Sequence, residues 1–392
     1  MDREDSAARA PDPMAWDMGR PFRPFGARRL PCGAPLAHVP AGSAPLSSPD
    51  LSGAAMLSRR AFLAAGAAAA ALGTTGRAAA TPPGAVVLDP SRGGRGPTHA
   101  DHLDRLGVGL FTLPKSLERD FDGTLAMMAA LGYQEVELFG PYPFSTPAAQ
   151  AGWKAAGATL GFSGSGFFGR TAAQVRESLD RHGLTSPSMH VDLDTLRDRL
   201  DQVGEAAHAV GWQYAGIAMI PPERRRTLDD YRRMADELNA IGRRAQPMGF
   251  KVLYHNHGYG LTPMAGQIPV RLLFDRLDPE VVALEMDVFW TVAGGADPVE
   301  LLDAYPRLYR LMHVKDMTKQ ARFTRGGDMQ DVMGLFPLMT TAGAGVLDLP
   351  RILGHAQRNG VTHFYVEQDL AADPPAQLGA SYQYLRRMTL AV

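Results

Sequence analysis

The sequence predicts an α/β fold, a (β/α)8 TIM barrel, over residues 105–392. Three observations carry that expectation. Short apolar segments alternate with helix-like segments, eight times over, from about residue 105 onward. Strict alternation calls for parallel strands, because parallel neighbours need a crossover connection. Polar residues close several of the apolar segments. That places chemistry at the ends of many strands, as in a closed barrel, and not in the single crevice of an open doubly wound sheet.

GVGLFTLP, from Gly107, is apolar and short, and reads as the first strand. FDGTLAMMAALG follows as a helix with Gly132 at its end, where a left-handed residue is needed. EVELFG is the second strand, closing on Glu137. Residues 140–168 are rich in Gly, Pro and Ser and predict a long loop. TAAQVRESLDRHG is a helix that Thr171 can cap, and SPSMHVD is the third strand. TLRDRLDQVGEAAHAVG has apolar residues at helical spacing and leads to YAGIAMI, the fourth strand. TLDDYRRMADELNAIGRRAQPMG is a long helix ended by Gly249, before KVLYHNH, the fifth strand. The pairs VRLLFDRLD and VALEMDVFW, PVELLDAYP and LYRLMHVKD, and DLPRILGHAQRNG and HFYVEQD supply the remaining helices and strands. AQLGASYQYLRRM is the closing helix.

The N-terminal part reads differently. Residues 1–55 are rich in Pro, Ala, Gly and Arg without a sustained apolar period, and predict a disordered leader. Residues 56–80 hold Arg59-Arg60 before a short apolar run and then Ala78-Ala79-Ala80, the order of a twin-arginine signal peptide. Met56 is therefore a candidate for the true start. The apolar run is too short for a typical membrane span. Residues 81–104 read as a linker. A mature periplasmic or secreted chain with no stable membrane span is expected, exported already folded. The only cysteine, Cys32, lies in the leader, which excludes a disulfide framework and a thiolate metal cluster. The net charge of −1 gives no field for nucleic acid or an anionic membrane.

Side chains alternate faces along a strand. In KVLYHNHGY, His255 and His257 therefore face one way, Tyr254 and Asn256 the other. Asp287, His313 and Glu367 close the next three strands. Two imidazoles and two carboxylates at equivalent ends suit a divalent transition ion, whereas calcium favours an all-oxygen shell. Taken singly, each residue could equally be a hydrogen-bonded core group. His257 and Lys315 share the inward parity. Lys315 reads as a group for an anionic oxygen or sugar hydroxyl, or as an ion pair with Asp316 or Glu367. Glu137 and His190 read as substrate-pocket residues or satisfied rim groups, and Trp290 as a wall for a sugar ring or as core. Glu285 is expected to be a buried, paired carboxylate. Gly164–Gly169 fits G-x-G-x-x-G, but Glu177 and Asp180 come too soon for the acidic partner of a dinucleotide site, and Asp192 reads as facing the barrel. Segments 140–169 and 317–345 are expected to cover the barrel mouth.

With these residues placed, the chain resembles the xylose isomerase-like sugar isomerase/epimerase family over about residues 105–390. The matching pieces are EVELFG, FFGRTAAQVRESLDRHGL, PSMHVD, YHNHGYG, LEMDVFWTVAGGADP, LMHVKDM, AGAGVLDLPRIL and YVEQD. The resemblance implies a divalent metal at the ends of strands five to eight, with Asp287, His313 and Glu367 as ligands and His255 as the fourth. Manganese is the first expectation, with cobalt, iron, zinc or magnesium as alternatives. Many relatives carry Glu where this chain has His255, and an acidic and aromatic run where GYG follows YHNH. The second carboxylate of a two-glutamate epimerase is thus missing. The expected activity is isomerase or epimerase chemistry on a small carbohydrate, by proton transfer next to a carbonyl through an enediolate. Glu367 would be the base, His255 or His257 its partner, and Lys315 a catalytic aid. A lyase or dehydratase acting on keto-sugars, 3-keto-glycosides or keto-inositols shares the early steps and is the alternative. A non-catalytic periplasmic sugar-binding protein is the second alternative. Expected partners are the carbohydrate, the twin-arginine export machinery and a second copy of the chain.

Overall fold

The computed structural model describes residues 102–391. The leader, the signal peptide and all but the last three linker residues lie outside the described residues, as does Cys32. Eight strands form the barrel: β1 Gly107–Gly109, β2 Glu135–Phe139, β3 Thr185–Val191, β4 Tyr214–Ile217, β5 Lys251–Asn256, β6 Val282–Asp287, β7 Tyr309–Val314 and β8 His363–Val366. They pair in chain order, and β1 pairs with β8, so the sheet closes with every neighbour parallel. The expected TIM barrel is the observed fold.

Strand parity builds the interior in layers. Leu253, Ala283, Leu311 and Tyr365 form an apolar floor. Two residues further along the same strands stand His255, Glu285, His313 and Glu367, and two further again Asp287, Lys315 and Asp369. Opposite-parity residues such as Tyr254, Leu284, Met312 and Phe364 pack outward into the main core under the helices. Strand β1 is glycine-rich for a steric reason. A Cβ on Gly107 would lie 2.5 Å from the Tyr365 ring, and one on Gly109 would lie 2.5 Å from Glu367 Oε1.

Local signals set the helix ends. Thr171 and Gln174 form a reciprocal capping box at the helix Ala172–Arg181. Gly132 ends the helix Phe121–Leu131 with φ 105°. Six expectations need correction. The first strand stops at Gly109, and Leu110–Thr112 form a 3-10 turn. The fourth strand stops at Ile217. The sixth strand stops at Asp287, and Val288–Ala293 form a helix. The segment after β3 is two helices, Leu193–Asp198 and Leu200–Val210, broken at Arg199. The loop 140–168 contains a helix, Pro147–Leu160, with Thr146 as its N-cap and proline in its first turn. Glu137 lies within β2 and not at its end.

Segment 317–345 also has structure of its own. Asp316–Met317 pairs antiparallel with Met339–Thr340, and a short helix spans Met329–Leu335. No helix among the described residues is long and apolar enough to cross a membrane.

Candidate active site

The site draws on the middle of β2 and on the carboxyl ends of β3 and β5–β8. Its lower tier is a network of three imidazoles and two glutamates. Glu137 Oε2 lies 2.6 Å from His313 Nε2, and Glu137 Oε1 accepts the Ser188 hydroxyl at 2.6 Å. Glu285 Oε2 lies 2.7 Å from His190 Nε2 and 3.0 Å from His255 Nδ1. Glu285 is thus the buried, paired carboxylate that the sequence predicts. Burial works against charge on His190 and His313, but the surrounding glutamates outweigh it and raise both imidazoles above their ordinary value. His255 goes the other way: burial, then His313, hold it neutral.

The upper tier is the candidate metal centre. One atom each from Asp287, His313 and Glu367 lies within 4.8 Å of the other two. His313 Nδ1 stands 2.8 Å from Glu367 Oε2 and 4.0 Å from Asp287 Oδ2. His255 Nε2 reaches the same Asp287 oxygen at 3.7 Å. Asp287 Oδ1 is already used, capping its own helix through the Trp290 amide at 2.8 Å. Asp287 Oδ2 and His313 Nδ1 are buried and make no aligned hydrogen bond. Carboxylate oxygens and an imidazole nitrogen that converge in a buried space without aligned hydrogen bonds carry a cost that a divalent cation would lower. These residues therefore fit a divalent ion. With Glu137 bound to Nε2 of His313, the ring's other nitrogen faces the cage, the arrangement usual for a metal-bound histidine. The mixed nitrogen and oxygen set suits Mn, Fe, Co or Zn. A second group, His190, His255, Glu285 and His313, has donor atoms equally close. Its nitrogens are those already hydrogen-bonded to glutamates.

Lys315 fills the space beside the cage. Its Nζ lies 2.7 Å from Glu367 Oε2, 2.9 Å from Asp287 Oδ2 and 2.9 Å from Asp369 Oδ1. Only the contact to Asp369 has hydrogen-bond geometry. Burial disfavours the ammonium, but three carboxylates outweigh that and keep it charged. Burial likewise pushes Glu367 up, yet His313 and Lys315 hold it well below the usual carboxylate range. Asp369 behaves oppositely. Burial pushes it up to about 7, with Lys315 opposing and Glu367 adding to the shift.

The structure brings His255, Asp287, His313, Glu367, Lys315, His190 and Glu137 into one network, as the strand ends predict. His257 lies beside it, its ring centroid 4.7 Å from that of His255. Its Nδ1 is 2.6 Å from the Ala218 carbonyl, which can only accept, so the lone pair sits on Nε2. Burial, then Lys315, push this imidazole down to about 3.

Other placements decide between the readings the sequence left open. Lys315 pairs with Glu367, Asp287 and Asp369, not with Asp316. Asp316 instead accepts the amides of Gly343, Gly345 and Leu347, and so shapes the loop after β7. Trp290 is fully buried and belongs to the core, its ring stacked 5.9 Å from Phe323, not open as a sugar wall. Phe323 belongs to segment 317–345, which packs against Trp290 in a satellite hydrophobic cluster. Gly164–Gly169 forms a packed turn: the Gly166 amide bonds the Phe139 carbonyl at 2.8 Å. Asp369 closes HFYVEQD beside Glu367, and the sequence reading gives it no role. The signal was there, since it follows Glu367 at inward parity.

Fold and site together define a TIM barrel with a buried polar centre at the carboxyl face. The chain belongs to the xylose isomerase-like TIM barrel family, whose model matches residues 125–388. It is similar to the inosose dehydratase of Geobacillus kaustophilus, 25% identical over 276 residues, covering 68% of this chain and 87% of that protein. It is 23% identical over 207 residues to the inosose dehydratase of Bacillus cereus, covering 52% of this chain and 65% of that protein. With the inosose dehydratase of Lacticaseibacillus casei it shares 28% identity over 158 residues, 38% of this chain and 51% of that protein. The chain thus spans less than two thirds of the length of these last two relatives. Among solved structures it is similar to a sugar phosphate isomerase/epimerase from Parabacteroides distasonis, with TM-score 0.56, 21% identity and coverage of 75% and 99%. It is also similar to the IolI protein, solved with a bound zinc atom, with TM-score 0.51, 15% identity and coverage of 71% and 95%. The structural likenesses show the fold.

Proposed function

We propose that the chain is a metal-dependent dehydratase that removes water from a cyclic keto-polyol or keto-sugar of the inosose type. The observation that carries this reading is the group of inosose dehydratases among its relatives, one matched over 87% of its length. The site supplies what such an elimination needs, an acceptor for the proton next to the carbonyl and a donor for the leaving hydroxyl.

Asp287, His313 and Glu367, with His255, would hold the ion. When bound, a divalent ion supplies Lewis acidity that stabilises an oxyanion beside the carbon losing its proton. Low proton affinity makes Glu367 a better ligand than base. Asp369, at about 7, is matched to taking a proton at neutral pH. Lys315 touches Asp369 and can hydrogen-bond the developing oxyanion. His190 is the most exposed of the site's lower histidines, with 12% of its side chain accessible, and its raised proton affinity suits it to protonate the departing hydroxyl. The C–H proton goes to Asp369, the C–O bond breaks, and hydroxide leaves as water with the His190 proton. His257, neutral and with a free Nε2, accepts a substrate hydroxyl.

Isomerisation or epimerisation would start from the same proton removal and end in reprotonation. Incubating metal-loaded protein with inosose, keto-sugars and 3-keto-glycosides in deuterated water separates them. Mass loss of one water supports the dehydratase; deuterium uptake without that loss supports isomerase or epimerase and contradicts it. Export by the twin-arginine machinery to a periplasmic or secreted location is proposed from residues 56–80 alone. Purified exported protein that retains those residues would contradict it.

A further inference from the structure

The lower-tier network contains a carboxylate that touches no open space yet meets two imidazoles through one oxygen. We infer that Glu285 is the positioning residue that lets a histidine serve at the end of the fifth strand, by fixing His255 with its bare nitrogen toward the metal cage and aiming His190 from the same oxygen. The inference rests on the proposed metal centre and deepens it.

The argument is one of donors and acceptors. Glu285 Oε2 lies 3.0 Å from His255 Nδ1 and 2.7 Å from His190 Nε2. Its other oxygen, Oε1, is buried without an aligned hydrogen bond, 3.4 Å from His313 Nε2. As a carboxylate, Glu285 can only accept, so both ring nitrogens facing Oε2 donate to it. A neutral His255 then carries its lone pair on Nε2, the atom 3.7 Å from Asp287 Oδ2. The opposite tautomer would point an N–H into the cage and remove a ligand.

Strand geometry fixes this relation. His255 and Glu285 are register partners on β5 and β6. Glu285 and Asp287, two residues apart on one strand, face the same way at successive depths. One strand thus supplies both the orienting carboxylate and the carboxylate beside the ligand nitrogen. A group held by a sheet ladder is placed more closely than one on a loop. Glu137 stands in the same relation to His313, at 2.6 Å from Nε2. Glu285 differs in serving two rings, His255 toward the cage and His190 toward the more open side, with centroids 5.0 Å apart.

Two measurements test this. In wild-type protein without metal, nitrogen-15 NMR of labelled histidine should show His255 protonated at Nδ1; a proton on Nε2 overturns the inference, whether or not the metal reading holds. In titrations with Mn²⁺ and Zn²⁺, Glu285→Met should weaken binding on the order of 10–100-fold, the loss typical of removing a ligand's outer partner. Glu285→Gln, which keeps one acceptor oxygen, should lose less and is the fallback if the methionine variant does not fold. Unchanged affinity in a folded variant that no longer holds His255 as one tautomer overturns the inference. A wild type that binds neither ion refutes the metal centre instead.

Discussion

Glu137 Oε2 lies 2.6 Å from His313 Nε2, and the opposite nitrogen of that ring faces the candidate metal cage. A carboxylate behind the ring and a cage before it make His313 the hinge of the site. Without an ion the surrounding glutamates keep this imidazole protonated. A metal must displace that proton.

Removing His313 or Asp287 should therefore remove the ion. We expect His313→Ala and Asp287→Ala to lose bound metal and activity together. Elemental analysis of purified protein after metal supplementation checks this. Binding to the wild type should also release a proton and strengthen as pH rises, which calorimetry in buffers of different ionisation enthalpy reads directly.

Lys315 is 1% exposed and stands among Asp287, Glu367 and Asp369. Lys315→Met strips three buried carboxylates of their cation. Breaking such a group costs about 3–5 kcal/mol. Chemical unfolding of the metal-free variant should show that loss, and added Mn²⁺ should recover part of it, because the ion meets two of the same oxygens.

Gly109 leaves room for a catalytic-tier carboxylate. A methyl group there would fall 2.5 Å from Glu367 Oε1. Gly109→Ala should displace Glu367, cost roughly 1–3 kcal/mol of stability, and depress metal affinity far more than a substitution on the barrel's outer face. Thermal melts and metal titration check both parts.

Asp369 sets a pH limb. Its carboxyl is pushed up to about 7, and it must be ionised to take a proton. We expect kcat/KM to rise with pH through about 7, and Asp369→Asn to abolish that limb. Because the folded chain holds this proton more tightly than the unfolded one, Asp369's contribution to stability falls as pH rises from 3.8 to about 7.

Much of the site could be read from strand parity. His255, Asp287, His313 and Glu367 end four successive strands, and period-two alternation put them on one face. What partners them could not be read. Glu137 and His313 are 176 residues apart, and only barrel closure joins them. Asp369 lies past the end of β8, and its parity with Glu367 alone gave it no role. The helix Pro147–Leu160 has a single buried residue, Gly157, and hence no apolar stripe to reveal it. Trp290 looks from the sequence like any aromatic at a strand end; the rings that pack on it include Phe323 and Phe336, brought there by a distant segment.

A metal-dependent elimination is tested most directly by the rate of water loss from inosose, measured before chelation, after chelation and after restoring Mn²⁺ or Zn²⁺. The expected result is loss of the reaction with the ion and its return with re-metallation. Full dehydration by chelated, metal-free protein would contradict the proposed mechanism.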